Sequence, residues 1–213
     1  MARLYQKTQD EEYAERAIMM IYRGAVAYPS VPDKTEDITF HNLSSIMPSY
    51  CIFAYDNLYN SPYWEELSSS EGVNAKQTVE GWFCQPFEYL HNNYTDQYIN
   101  NLGGYWIKHM AGTAVILNNP DMVRDVFEVI DNAMGPGEWH GDGMWSEGTF
   151  SYGQQFAGNT SEACNVFKLY VDPYGYVDTR YGLTLNKTDV STMWPIMLKM
   201  IELNKTIKFP DGS

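Results

Sequence analysis

A chain of 213 residues with a 44% hydrophobic share can bury a real core and is globular rather than disordered. Its formal net charge of -13 excludes the basic footprint of a general nucleic-acid binder. No apolar run reaches the roughly 18 residues of a transmembrane helix, so no membrane partner is expected.

The first amphipathic pattern opens at Asp10, a fitting N-cap, and recurs through Tyr13, Ala17, Ile18, Ile21, Tyr22 and Ala25. It predicts a helix over 10–28 that ends at Tyr28-Pro29, because a residue before proline leaves the helical region. Residues 30–37 read as a loop. A second helix is predicted over 43–58, with Pro48 near its start, followed by a short helical turn over 63–67. A third spans 74–92, where Pro86 should kink or interrupt it. A fourth spans 97–117, weakened at Gly103-Gly104. Asn119-Pro120-Asp121 restarts a fifth over 120–133. Two more are predicted over 151–167 and 189–207, separated by an irregular excursion over 171–185; Pro195 fits only near a first turn. Helices joined by short loops, without convincing strand pairs, give an all-α class built of antiparallel hairpins, 43–58 with 74–92 and 97–117 with 120–133.

Between the fifth and sixth helices lies G-P-G-E-W-H-G-D-G-M-W-S-E-G-T-F-S-Y-G-Q-Q, from Gly135 to Gln155. Its six glycines bend the backbone, and Glu138, His140, Asp142, Glu147 and Tyr152 stand close to Trp139 and Trp145. Polar groups beside flat aromatic faces suit a carbohydrate-like ligand, and a scaffold of helices holding one such loop is a common functional plan. The three cysteines, Cys51, Cys84 and Cys164, form neither a metal motif nor a disulfide framework. Neither a metal nor a cofactor is expected, and no signal peptide precedes the first helix.

Several segments together resemble the helical domain of the heparinase II/III-type polysaccharide lyases, which include alginate and chondroitin or hyaluronan lyases. They are Leu4–Ala17 running on to Ala27-Tyr28-Pro29, Ala54–Tyr59, Asn100-Asn101 leading to Trp106 and then Leu117–Pro120, Asp142–Gly148 with Ser151-Tyr152, and Pro210–Ser213. They cover nearly the whole chain in the family's order. The resemblance implies an incomplete (α/α) toroid over 1–213, forming one domain and lacking a C-terminal β-sandwich half. It also implies a parent protein that is secreted or periplasmic, and a uronic-acid-containing polysaccharide as partner.

Such a lyase cleaves by β-elimination. The proton at C5 is barely acidic while the neighbouring carboxylate is charged, so something must neutralise that carboxylate and stabilise the developing enolate-like charge. A base must reach C5, and an acid must protonate the leaving oxygen. By resemblance, Asn101 takes the neutralising role and Tyr152 the acid or base role, with His140 a second catalytic candidate. Trp106, Trp139, Trp145, Glu147 and His109 are candidates for lining the substrate site. Asn101 also fits a helix N-cap and Tyr152 a packing aromatic, and the tryptophans fit a core equally well. Asp142 and Glu147 are expected to brace the loop through backbone donors. Where the family commonly has His after the tyrosine, this chain has Gly153. Two other readings stand beside the lyase: a non-catalytic carbohydrate-binding relative, and an α/α-barrel glycoside hydrolase with Asp142 and Glu147 as acid and base.

Overall fold

The computed structural model describes residues 1–30, 46–94, 101–135, 145–146 and 150–206. These residues are helical apart from turns, an irregular excursion and isolated bridges such as Val171 with Asn186, so the all-α class holds. The chain forms two compact units, Met1–Tyr89 and Leu90–Ser213.

The first unit holds α1 (Ala2–Thr8), α2 (Glu11–Ala27), α3 (Ile46–Leu58), α4 (Tyr63–Glu71) and most of α5 (Ala75–Tyr94). Helix α1 was not expected: seven residues are too few for an apolar period to show. It closes where Gln9 turns left-handed, at φ 57°, and donates its N–H to the Tyr5 carbonyl. Helix α2 starts as the sequence suggests, with the Asp10 carboxylate accepting the Glu12 N–H at 3.0 Å. Helix α4 runs a turn beyond the expected 63–67 and stops at Gly72, whose φ of 69° suits a residue without a side chain. Helix α5 continues through Pro86 without interruption.

The core of this unit is organised on Tyr55, which is fully buried. Its ring meets Trp64 at 5.3 Å and Phe83 at 5.6 Å, both edge-on, a geometry that aromatic quadrupoles favour. Its hydroxyl donates to Glu80 at 2.6 Å. Tyr55 and Tyr59 on one side meet Glu80, Phe83 and Lys76 on the other, the later residues facing the earlier ones. These side-chain contacts tie the C-terminal part of α3 and the residue after it to the first half of α5.

The second unit holds α6 (Gly103–Ile116), α7 (Pro120–Ala133), α8 (Phe150–Phe167) and α9 (Pro195–Thr206). Helix α7 has the expected bounds: the Asn119 side chain accepts the N–H groups of Asp121 and Met122, and Pro120 fills the first position. Helix α9 is shorter than the expected 189–207. Trp194 precedes a proline and sits at φ -122°, which no helix tolerates, so the first part becomes a separate 3-10 turn over Val190–Met193. Helix α6 starts at Gly103 rather than 97, and Asn101 and Leu102 form a turn before it.

Helix α6 is buried on most of its circumference and packs on α7 and α8. The three-residue link 117–119 makes α6 and α7 antiparallel. Helices α6 and α8 run parallel: Asn101 meets Gln155, Gly104 lies on Phe156 and Asn159, and Lys108 pairs with Glu162. The approach at Gly104 is close. A Cβ there would lie 2.7 Å from the Phe156 carbonyl oxygen, so only glycine fits. Gly104, one of the two glycines that weaken the helix start, is what lets the two helices touch.

The excursion after α8 is irregular, as expected, but firmly held. Arg124 on α7 is completely buried. Its guanidinium donates to both Asp172 oxygens at 2.6 and 2.8 Å, lies 3.2 Å from Asp178 and donates to the Leu183 carbonyl. Asp178 in turn accepts the N–H groups of Arg180, Tyr181 and Leu183. Outside this knot, Arg180 bonds Asp125 at 2.6 Å, Glu128 at 2.8 Å and the Asp121 carbonyl. Asp131 accepts from Tyr181 and from the Trp194 indole, both at 2.7 Å. The segment is a strap fastened along α7.

Candidate functional site

The start of α6 and the first turns of α8 bring one group of polar side chains together. The Asn101 amide donates to Gln155 Oε1 at 3.1 Å. Gln155 Nε2 donates to the Tyr105 hydroxyl at 3.0 Å, and the Gln155 carbonyl accepts from Asn159 at 2.8 Å. Asn101, Tyr105, Gln155 and Asn159 are all half-buried. Asn101 and Tyr105 are four residues apart and reach the same carboxamide, and the close approach at Gly104 is what brings α8 within their reach.

Asn101 is not a helix cap. The cap position of α6 is Leu102, which supplies no side-chain bond, and the Asn101 amide reaches across to α8 instead. Tyr152 lies on α8 three residues before Gln155, hence on a neighbouring part of the helix surface, and is 44% exposed. Asn101 and Tyr152 are thus both neighbours of Gln155. Gln155, Tyr105 and Asn159 were not singled out from the sequence. Gln155 stands at the very end of the Gly-rich stretch, and nothing in its spacing distinguishes it from Gln154.

The other candidates divide into two groups. Trp106, His109 and Trp145 are core residues: they are 3%, 0% and 0% exposed. Trp145 lies flat on Phe156, with ring centres 4.6 Å apart and planes 16° apart. All three are packed within the described core. Trp139, His140, Asp142 and Glu147 lie outside the described residues. Gly153 is closely enclosed. A Cβ there would lie 2.6 Å from Met200 Cε and 2.8 Å from Trp145 Cβ, so this packing has no room for an imidazole.

A second cluster on the same unit has the residue types of a metal site. Ligand atoms of His91, Asp125 and Glu128 lie within 4.8 Å of one another. The guanidinium of Arg180 already bonds both carboxylates, which supplies the positive charge a metal would bring. The cluster serves the strap. The cysteines have no reactive character: burial pushes the Cys51 thiol up to about 11 and the Cys164 thiol up to about 12. Among the described residues no helix is long and apolar enough to cross a membrane. Comparison with known proteins finds no matching family model, no matching curated protein and no matching solved structure.

Proposed function

We propose that this chain is the helical catalytic portion of a polysaccharide lyase that cleaves a uronic-acid-containing polysaccharide by β-elimination. The observation that carries the reading is the half-buried Asn101–Gln155–Tyr105 chain of hydrogen bonds, with the exposed Tyr152 phenol one turn away on the same helix. The elimination needs a fixed amide to neutralise a carboxylate and a phenol that can exchange a proton nearby. Asn101 is fixed by Gln155, and Tyr152 is accessible. The parallel packing of α6 and α8, joined in sequence through an α7 that packs on α6, is compatible with the successive hairpins of an (α/α) toroid. It supports a toroid as the finer architecture.

In this mechanism the Asn101 amide bonds the uronate carboxylate and strengthens its hold as charge moves onto it. Tyr152 transfers the proton, taking it from C5 or giving it to the leaving oxygen. The histidine that the resembling family places next to the tyrosine has no counterpart at Gly153, so a base or acid from elsewhere completes the pair.

The lyase reading expects activity only together with the β-sandwich half that the resemblance implies, so incubating the full-length parent protein with a panel of uronic-acid polysaccharides tests it. Elimination leaves an unsaturated uronate that absorbs in the ultraviolet. Retention of polymer without that absorbance selects the non-catalytic binding relative. New reducing ends without absorbance select the hydrolase and remove the lyase. In an active protein Tyr152→Phe abolishes turnover and spares binding, since it removes a hydroxyl and keeps the ring.

A further inference from the structure

The cluster of His91, Asp125 and Glu128 has a geometry that its service to the strap does not explain. His91 stands in the last turn of α5 and falls within the second unit, as α7 does. Asp125 and Glu128 are three residues apart on α7, so their carboxylates share one face. His91 Nε2 lies 3.4 Å from Glu128 Oε2 and 3.8 Å from Asp125 Oδ1. Both separations exceed the roughly 2.7–3.2 Å of an ordinary N–H···O bond. They approach the edges of a tetrahedron around a small ion instead, since zinc bonds of about 2.1 Å set neighbouring ligands about 3.4 Å apart. The side chains of His91, Asp125 and Glu128 are 28%, 20% and 31% exposed, so an ion and its water can reach them.

We infer that these three side chains bind a divalent transition-metal ion, zinc by the match of distances, and that the ion competes with Arg180 for Asp125. One imidazole with two carboxylates suits zinc or a neighbouring first-row ion, whereas calcium and magnesium prefer oxygen ligands alone. A fourth position is left to water. Arg180 Nη1 holds Asp125 Oδ1 at 2.6 Å and Glu128 Oε1 at 2.8 Å. Glu128 turns its other oxygen, Oε2, to His91, and so can bind an ion without releasing the guanidinium. Asp125 offers one and the same oxygen to both, so there the ion and Arg180 compete. The competition is reciprocal: what Arg180 takes from the affinity for the ion, the ion takes from the hold of Arg180 on the rim. The knot at Arg124 contains none of the three ligands and stays closed. No spacing motif betrays the site, because His91 and Glu128 are 37 residues apart.

Calorimetric titration of zinc into the chelator-treated full chain tests this, using wild type, His91→Ala, Glu128→Gln and Arg180→Met. Wild type should bind zinc saturably. His91→Ala and Glu128→Gln should each weaken that binding by about 100-fold or more, since losing a group that merely orients a ligand already costs about 10–100-fold. Arg180→Met should tighten it by about fivefold, the worth of one partly exposed ion pair. A cluster that only packs the strap would give no such gain. Thermal unfolding of each variant shows that it is folded; if His91→Ala is not, Glu128→Gln, which keeps the shape of the side chain, carries the test. No saturable zinc binding by wild type overturns the inference. So does binding that the ligand variants retain, because the ion then sits elsewhere. Zinc binding by Arg180→Met no tighter than by wild type overturns the competition at Asp125. None of these readouts involves uronate turnover, so a failure of the lyase reading leaves the metal site in place.

Discussion

The second unit contains two polar networks built on opposite plans. Along α7, Arg124 and Arg180 meet Asp172, Asp178, Asp125 and Glu128, and the strap's backbone N–H groups fill remaining acceptor positions. Charges there are paired and, around Arg124, completely buried. Between α6 and α8, Asn101, Gln155 and Tyr105 carry no charge and remain half-buried. A closed network holds a segment in place, because any missing partner strands a desolvated charge. An open one at a surface costs little to keep and can accept a ligand. The difference separates architecture from candidate chemistry within one helical layer, and four changes probe it.

The largest effect is expected from Arg124→Met. It leaves Asp172 and Asp178, whose side chains are 3% and 1% exposed, without their cation. Breaking a buried pair from one side costs about 3–5 kcal/mol. Chemical unfolding should show this loss, and proteolysis should then cut within 171–185. A loss under about 1 kcal/mol, on the scale of a surface pair, would show that the strap is not held by this knot.

Gly104→Ala tests the open network through its foundation. The added methyl meets the Phe156 carbonyl, which is backbone and cannot swing away, so α6 and α8 must separate at a cost of about 1–3 kcal/mol. The Asn101 side-chain amide resonances should shift at the same time, because Gln155 moves with α8. Unchanged resonances in a destabilised variant would break the proposed link between helix approach and site.

Arg180→Met addresses the rim of the closed network. Its side chain is 31% exposed, so water shares its charge and the loss is expected near 1 kcal/mol, well below that of Arg124. Equal losses at the two arginines would erase the distinction between buried knot and rim.

Mild acid should do least. Burial by itself raises the pKa of Asp178, but the N–H groups of Arg180, Leu183 and Tyr181 and the Arg124 guanidinium outweigh it and hold the carboxyl below the usual range. A carboxylate depressed in the fold contributes stability that is fully present above its unfolded value, about 3.9, and is lost as pH falls through the lower folded value. Asp189, held by the Ser191 hydroxyl and the Lys168 ammonium, follows the same sign and is depressed to about 2. The strap should therefore keep its unfolding temperature contribution from pH 7 to about 5 and lose it only below about pH 4. Thermal unfolding against pH, with a carbon-13 titration of Asp189, checks this. Loss of the strap near pH 6 would show that its stability does not rest on these carboxylates.

Sequence alone determined the elements whose signals are local. Asp10 and Asn119-Pro120 each fix a helix start through two or three adjacent backbone groups, and the expected α7 bounds and α2 start agree with the fold to within a residue. Apolar periodicity carried the all-α class for the same reason. Tertiary structure decided what depends on partners distant in the chain. Arg124 reads as one more charge on an amphipathic helix until Asp172 and Asp178 close on it from some 50 residues away. Trp106 and Trp145 read as stacking faces or as core with equal ease, and only packing removes them from solvent. Asn101 reads as a cap until Gly104 lets α8 come close enough for Gln155 to take its amide. Local chemistry names the element, but the direction in which a polar side chain spends its hydrogen bonds is settled by whatever the fold sets opposite it.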